Sequence, residues 1–441
     1  MSDYMFMLES HLSADQFRVV GKMKDLAGDA GVNVYLTGGA IRDMLGGFPV
    51  RDLDFTIEGN ALKLAKVAEK KFDAKIVDVD DHRKSVHMVF PGGVTAEFAT
   101  AHSEKFAKSG AKPQISAATI HDDLRARDFT INAIGLSLNK ASLGLPIDPT
   151  NGIGDVERKE VRAVHNYSFY DDPARMIRLH RLKVRLGFTI DERTRLQYEN
   201  AREAEMLTRI SAEALGAELR QMAGEVNIAD VVEALSQEKL LELFSPALAA
   251  GKLDMQSLNK LQKARQMVPV GAEFKMNPMP LLLEVLTEKL NPKERSALIK
   301  AAEISRGEVT AWQKLESVAK KLEKELKNAK LNKPSQVYSV ISKAPGEAIL
   351  YLILNSSQRI VQDRIRNHFQ KYLPISLEVT DEEVAATGIP PSSPKFAKAK
   401  EQMILTRLDA RPKKVVTAEE PTTPPPPMSS FARGPSVRHA R

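Results

Sequence analysis

Two short motifs near the N-terminus bring together residue types suited to phosphate and metal chemistry. Gly38 and Gly39 follow a short apolar run, and Asp52 and Asp54 stand two residues apart a little further on. Paired glycines let backbone N–H groups approach a phosphate closely, because no Cβ intervenes. Two carboxylates that alternate along a strand lie on one face, as a pair of magnesium ions about 3.5–4 Å apart requires. Each motif alone more often has only a structural role, so a functional interpretation depends on the other motifs in the chain.

A second group of charged residues begins at Asp172. Pro173 follows, and acids with a proline in the first turn favour a helix start. Arg175, Arg178 and Arg181 then recur every third residue, which predicts a basic stripe suited to a triphosphate. The alternative is a solvated helix face with salt bridges. Asp172 and Arg175 together could also read cytosine or adenine, because both bases place an amine beside a ring acceptor, whereas guanine and uracil present the opposite edge.

These motifs occur with others in a fixed order. Residues 123–133 contain Arg127 and Asp128, and segments 147–152 and 209–213 flank the arginine stripe. Over roughly residues 30–220, the set resembles the class II tRNA nucleotidyltransferase and bacterial poly(A) polymerase family. The resemblance implies an α+β fold, in which an N-terminal nucleotidyltransferase-type mixed sheet with helices precedes an all-helical neck, body and tail.

The resemblance also implies a role for each matching residue. Grouped by role, the residues are the catalytic metal pair Asp52 and Asp54, the third carboxylate Glu97, the triphosphate contacts Gly38, Gly39 and Arg42, the ribose and phosphate contacts Arg127 and Asp128, and the base-reading pair Asp172 and Arg175. The arginines Arg178 and Arg181 complete the predicted nucleotide-binding set. For Glu97 the alternative is a strand acid that faces solvent.

The implied activity is the extension of a tRNA 3′ end from CTP and ATP, with two Mg²⁺ ions as cofactors. A poly(A) polymerase that extends RNA 3′ ends with ATP is the alternative. A degenerate head that only binds RNA is disfavoured, because both metal-pair carboxylates are present. The motifs leave open whether CCA, CC, A alone or poly(A) is added. Segments 103–115, 333–338 and 346–352 are similar to the branch that includes A-adding enzymes.

Hydrophobic periodicity predicts the elements that must position these residues. In the N-terminal part we expect helices over 13–30, 40–45 and 61–71 and strands over 33–36, 53–57, 85–90 and 94–100. Further on we expect helices over 171–187, 192–206 and 211–223, three more within 228–330 and others within 335–404. Breaks are predicted at the Asn-Pro, Lys-Pro and Pro-Pro pairs that begin at residues 291, 333 and 390.

The resemblance implies a head, a neck, a body and a tail, and the proline-rich composition of the last residues adds a fifth, disordered region. In order, they are a nucleotidyltransferase head over 1–150, a helical neck with the base-reading motif over 151–225, a helical body over 226–330, a helical tail over 331–411 and a disordered proline-rich segment over 412–441.

Composition also limits the class of protein. Of the 441 residues, 43% are hydrophobic and 27% are charged, an ordinary globular balance. The 64 Lys and Arg residues exceed the 57 acidic ones, and the net charge of +7 is compatible with a nucleic-acid partner. The absence of cysteine excludes thiol catalysis and thiolate zinc sites. No apolar run approaches the roughly 18 residues that span a bilayer, and the N-terminus is mixed, so we expect a cytoplasmic protein without a membrane partner.

Overall fold

The computed structural model describes residues 3–410 except 270, 271, 273 and 392. The predicted disordered segment 412–441 lies outside the described residues. Within the described residues, all strands lie in the first half of the chain. They are β1 Asn33–Thr37, β2 Leu53–Glu58, β3 Lys75–Asp80, β4 Ser85–Val89, β5 Thr95–Thr100, β6 His102–Lys105, β7 Gln114–Ala117, β8 Gly135–Ser137, β9 Pro146–Ile147, β10 Glu160–Val161 and β11 Thr189–Ile190.

Seven of these strands form one mixed sheet in the order β3-β4-β5-β2-β1-β8-β9. Strands β2 and β5 run parallel, and the other neighbouring pairs are antiparallel. The four predicted strands correspond to β1, β2, β4 and β5. Strands β3 and β8 were not predicted, because β3 is an exposed edge strand and β8 has only three residues.

The remaining structure is helical. The α-helices are α1 Asp3–His11, α2 Ala14–Ala30, α3 Gly39–Leu45, α4 Ala61–Phe72, α5 Ile120–Ala126, α6 Gly152–Arg158, α7 Ser168–Asp171, α8 Arg175–Leu186, α9 Glu192–Glu203, α10 Ala212–Gly224, α11 Ile228–Gln237, α12 Met255–Gln266, α13 Pro278–Thr287, α14 Pro292–Ala301, α15 Arg306–Leu326, α16 Pro334–Ile341, α17 Gly346–Asn355, α18 Arg359–Asn367, α19 Leu373–Leu377, α20 Asp381–Ala385 and α21 Phe396–Ala410.

The helical half confirms the predicted class but corrects one count. Five α-helices, not three, lie between residues 228 and 330 of the described chain, because short apolar stretches are separated by turns that periodicity alone merges. The three predicted breaks are confirmed: two prolines open α14 and α16, and the Pro-Pro pair lies between α20 and α21. Of the described helices, none alone is long and apolar enough to cross a membrane; α16 and α17 pass that test only together, and they are bent by 111°.

Helix α8 joins the two main hydrophobic cores. Met176 and Leu179 pack into the core beneath the sheet, whereas Ile177 packs into the core of the body. Since residues one position apart on a helix point about 100° away from each other, one short helix can enter both cores. The arginines on α8 are therefore held by packing on two sides. The predicted region boundaries at 150, 225 and 330 stay predictions.

Candidate active site

A cleft of about 680 Å³ lies between the sheet and the neck. All twelve residues predicted for the site line it: Gly38, Gly39, Arg42, Asp52, Asp54, Glu97, Arg127, Asp128, Asp172, Arg175, Arg178 and Arg181. The structure thus brings together residues that are up to 143 positions apart in the chain, 181 minus 38. Their roles in binding and catalysis stay predictions.

The glycine turn after β1 lies directly against a carboxylate. Gly38 has φ 67° and ψ −127°, a conformation that residues with a Cβ rarely adopt. A Cβ placed on Gly38 would lie 2.8 Å from Nη1 of Arg127 and 3.4 Å from Oδ2 of Asp54. Gly39 is similarly close, with its Cβ position 3.6 Å from the same oxygen. The backbone of this turn can therefore approach whatever binds beside Asp54.

Three carboxylates surround that position. Asp54 of β2 pairs in register with Glu97 of the parallel strand β5, so both side chains lie on one face. Asp52 immediately precedes β2, and the Thr95 hydroxyl donates to its Oδ1. Burial, followed by the negative charges of Glu97 and Asp52, raises the pKa of Asp54 to about 7. An excess of negative charge is therefore concentrated at one end of the cleft.

Arg127 holds the back of the glycine turn. Its Nη2 donates to the hydroxyls of Thr37 and Thr56 at 3.1 Å each, and it forms an ion pair with Asp123 at 2.9 Å. Nη1 donates to the carbonyl of Asn132 at 3.2 Å. Arg127 thus connects α5 to β1 and β2 beside the glycine turn.

Asn132 connects two further predicted residues. Its Oδ1 accepts from Nη1 of Arg42 at 2.6 Å, and its Nδ2 donates to Oδ1 of Asp128 at 3.0 Å. Burial opposes the negative charge of Asp128, but the charges of Arg178 and Arg175 outweigh burial and lower the pKa of Asp128 to about 2. Asp128 is therefore ionised at neutral pH and anchors α8 to the head.

The arginine stripe is present on α8, but protein carboxylates already balance its charges. Nε of Arg178 donates to Oε1 of Glu218 at 2.8 Å. Arg181 is buried and reaches Oε2 of Glu218 at 3.4 Å and Oε1 of Glu225 at 2.9 Å. Arg185 pairs with Asp43 of α3 at 2.7 Å. The stripe is therefore salt-bridged but not a solvated face, because Arg181 is buried and the stripe lines the cleft; its role in nucleotide binding stays a prediction.

Glu218 and Glu225 are the residues that sequence reasoning missed. Both are buried, on α10 and at its C-terminal end, and both face α8. A signal was available, because the two acids stand seven residues apart, about two helical turns, opposite arginines with similar helical spacing. The pairing was missed because each acid lies 37 or more residues from its arginine partners in sequence.

The predicted helix over 171–187 begins later than expected. Asp172 is extended, with φ −128° and ψ 92°, between the short helix α7 and α8, which starts at Arg175. Pro173 explains the break, because the residue before a proline is driven out of the helical region. The carboxylate of Asp172 instead accepts from the backbone N–H of Ala174 at 3.1 Å.

Arg175 is buried beside Asp172 with one donor unused. Its Nη1 donates to Oγ of Ser168 at 2.9 Å, and its Nη2 donates to the carbonyl of Ala126 at 3.2 Å. Its Nε makes no hydrogen bond and lies 3.6 Å from Oδ2 of Asp172. A carboxylate and a buried guanidinium whose Nε makes no hydrogen bond therefore stand side by side next to the cleft.

The segment 103–115 contributes most of the β6–β7 hairpin, whose tip reaches the neck. The Gly110 N–H donates to the carbonyl of Asp171 at 3.2 Å, and a Cβ on Gly110 would lie 2.4 Å from the carbonyl oxygen of Arg209. At its base, Glu104 lies 3.7 Å from Nη2 of Arg175. The hairpin thus contacts the neck next to Asp172, through the Asp171 carbonyl, and at Arg175 itself.

We expect Glu218→Ala to destabilise the protein by about 3–5 kcal/mol, because it leaves Arg178 and Arg181 without their shared buried partner. Urea denaturation followed by circular dichroism measures the loss. Glu213→Ala is the matched control, since Glu213 is exposed on the same helix. A Glu218→Ala protein as stable as this control would show that the arginines find other partners.

Comparison with known proteins agrees with this geometry. The poly(A) polymerase head domain family matches residues 34–162. The A-adding tRNA nucleotidyltransferase of Aquifex aeolicus is 26% identical over 347 residues, which are 78% of this chain and 41% of that protein. The A-adding tRNA nucleotidyltransferase of Halalkalibacterium halodurans is 35% identical over 196 residues, 44% of this chain and 45% of that protein. The chain therefore spans less than half the length of these curated relatives.

The fold has counterparts among solved structures. The Thermotoga maritima CCA-adding enzyme complexed with tRNA matches over 94% of this chain and 96% of its own, with a TM-score of 0.52 and 23% identity. This likeness concerns the fold, which both chains share from the head to the tail. Residues 34–162 thus match the poly(A) polymerase head domain family, and the curated relatives to which this chain is similar are tRNA nucleotidyltransferases.

Proposed function

We propose that the protein is an RNA nucleotidyltransferase that adds C or A residues from CTP or ATP to the 3′ end of tRNA without a nucleic-acid template. One observation carries the proposal: the carboxylate group and the Asp172–Arg175 pair line the same cleft. Curated relatives with this head are named A-adding, CC-adding or CCA-adding. A-addition is the form we favour, because a relative named for it aligns over 78% of this chain.

In the proposed reaction the 3′-hydroxyl oxygen of RNA attacks the α-phosphorus of the nucleotide, and pyrophosphate leaves. Catalysis of this kind depends on positioning and on charge stabilisation. The Gly38–Gly39 turn offers its backbone to the phosphates, because no side chain stands between it and Asp54. Arg42 and Arg127 contribute positive charge while their own hydrogen bonds keep them in place.

Asp172 and Arg175 are proposed to select the base. The carboxylate of Asp172 can accept from an exocyclic amine, and the adjacent guanidinium of Arg175 can donate to the neighbouring ring nitrogen. Cytosine and adenine offer that pair of groups, and guanine and uracil do not. The buried guanidinium favours selectivity, since its own hydrogen bonds hold it in place.

We further propose that Asp52 and Asp54 hold two Mg²⁺ ions, with Glu97 beside them. The donor set fits, because hard carboxylate oxygens suit magnesium. Across the described residues, no three acidic or histidine side chains are arranged to enclose a cation alone, so phosphate oxygens and water would complete the coordination. When bound, the ions neutralise negative charge on the reacting phosphates. Because tRNA and nucleotides are cytoplasmic, we propose that the enzyme works in that compartment.

The raised pKa of Asp54 predicts how metal-free protein responds to pH. Between pH 4 and 7, native Asp54 retains a proton that the unfolded chain has lost, since the pKa is about 7 when folded and 3.8 otherwise. The native state then binds more protons, so the free energy of unfolding falls as pH rises through this window. Above pH 7 in EDTA, we expect Asp54→Asn to be more stable than wild type by about 2–4 kcal/mol.

Urea denaturation at pH 8 and pH 5 in EDTA measures this difference, which should shrink at the lower pH. Adding magnesium at pH 8 should stabilise the wild type more than the variant, because the variant has lost one of the two proposed carboxylate ligands. A variant with the same pH dependence as the wild type would show that Asp54 titrates normally.

The proposed function is tested with purified protein and three tRNA transcripts that lack one, two or three nucleotides of the CCA end. Each transcript is incubated with each of the four nucleotides separately, and the products are resolved on sequencing gels. Addition of one A only to the transcript lacking A identifies an A-adding enzyme. Long A tracts on any RNA would identify a poly(A) polymerase instead, and no incorporation into any transcript would contradict the proposal.

A further inference from the structure

The cleft is also lined by residues that were not predicted for the site. Strand pairing aligns Asp54 with Glu97, Glu97 with His87 of β4, and His87 with Asp78 of the edge strand β3. Residues paired across neighbouring strands lie on the same face. Strands are about 4.8 Å apart, so this row places His87 about 10 Å from Asp54, on the floor of the cleft.

A β-bulge adds an apolar side chain to that floor. The register between β3 and β4 shifts between Ile76 and Asp78, which leaves Val77 as the extra residue. Bulges often redirect a side chain at a sheet edge. Val77 is 66% exposed and lines the cleft, although its neighbours Ile76 and Val79 lie opposite the buried residues Met88 and Val86.

Arg83 completes the surface from the turn between β3 and β4. Its side chain is 55% exposed, lines the cleft and comes no closer to an acid than 3.9 Å, to Glu104. The side chain of His87 is 52% exposed and lies 3.8 Å from Glu97. Unlike the arginines of α8, Arg83 and His87 have no side-chain hydrogen bond within the described chain. We call Val77, Arg83 and His87 the shelf.

The shelf lies on the side of Asp54 opposite the predicted triphosphate contacts. The glycine turn, Arg42 and Arg127 adjoin β1, whereas the shelf lies beyond β5, at the other end of the sheet order. In phosphoryl transfer the attacking and leaving oxygens are in line, on opposite sides of the phosphorus. If pyrophosphate leaves on the β1 side, the attacking hydroxyl must arrive from the β5 and β4 side.

We propose that the shelf binds the 3′-terminal nucleotide of the acceptor RNA, an inference that rests on the proposed function. Imidazole and guanidinium groups offer flat faces on which an unpaired base stacks, and Val77 extends the apolar part. Arg83 also supplies a cation for the last phosphate. The occupant is a single RNA strand end, because the surface is continuous with the carboxylates at which that end must react.

Steady-state kinetics with a tRNA transcript that lacks its last nucleotide tests the shelf. We expect His87→Ala and Arg83→Ala to raise KM for the transcript about fivefold or more and to leave KM for ATP within about twofold. His87→Phe should restore KM for the transcript, because a phenyl ring stacks without carrying charge. His121→Ala is the matched control, since His121 is exposed on α5 and does not line the cleft.

A second measurement does not depend on turnover. A transcript whose terminal nucleotide is 5-iodocytidine is irradiated with the wild-type protein in EDTA, and cross-linked peptides are mapped by mass spectrometry. Cross-links within residues 75–97 that are lost in His87→Ala support the shelf. Cross-links confined to the neck overturn it, as does a His87→Ala protein that loses kcat with an unchanged KM for RNA, which would mean that His87 acts only through Glu97.

Different results would contradict the proposed function and the shelf inference. If the wild type incorporates no nucleotide into any transcript, the proposed function is wrong, and the cross-link still reports whether RNA contacts the shelf. If the wild type incorporates nucleotides and both shelf variants match the His121→Ala control in every constant, the shelf inference alone is wrong.

Discussion

Asp54→Asn and Asp52→Asn should each reduce nucleotide incorporation on the order of a thousandfold, because a carboxylate that holds a divalent cation contributes several kcal/mol to transition-state stabilisation. The change is nearly isosteric and leaves the turn at Gly38 in place. Single-turnover incorporation of ATP into a tRNA transcript at saturating magnesium measures the effect. The loss should appear in the chemical step, with RNA affinity little changed.

Asp81→Asn is the matched control, since Asp81 is exposed in the head and does not line the cleft. It should keep the wild-type rate. Circular dichroism should show that the Asp54 and Asp52 variants retain the fold, as the stability expected for Asp54→Asn in EDTA implies. If either variant keeps more than about a tenth of the wild-type rate, a loss below about 1.4 kcal/mol, the metal assignment is wrong.

Asp172→Ala should change which nucleotide is accepted. Losing a hydrogen bond to a charged group costs about 1.5–3 kcal/mol, so incorporation of the correct nucleotide should fall by one to two orders of magnitude. UTP or GTP should then compete, because nothing at that position rejects their base edges. Single-turnover rates with all four nucleotides give the selectivity directly.

Asp171→Ala provides the comparison for Asp172→Ala. The two carboxylates are adjacent in sequence, but Asp171 does not line the cleft and its nearest cation partner is His165 at 3.9 Å. Arg178→Ala should slow the incorporation of all four nucleotides alike. Arg178 holds Asp128 in place and makes no direct hydrogen bond to the base-reading pair. A uniform loss of rate in Asp172→Ala, with selectivity unchanged, would place base selection elsewhere.

Sequence patterns predicted the structure best where residues suited to phosphate or metal binding also determine the backbone conformation. The glycine pair and the Asp-x-Asp spacing predicted a turn followed by a strand, and β1, α3 and β2 have those positions. The polar edge strand β3 was missed, because its exposed residues lack a clear apolar alternation. The start of α8 was placed too early, because proline at a helix start and proline after an extended residue look alike in sequence.

The residue motifs alone predicted the resemblance to a nucleotidyltransferase family, the mixed sheet followed by helices, and the set of residues that line the cleft. Such features depend on residue type and short spacing, which are local. Only the tertiary structure decided how the charges of α8 are balanced, because Glu218 and Glu225 reach the arginines through the packing of α10 against α8. It also decided that His87 lies in a row with Glu97 and Asp54, since strand register is set by hydrogen bonds between distant segments and a shift of one residue would turn His87 to the other face.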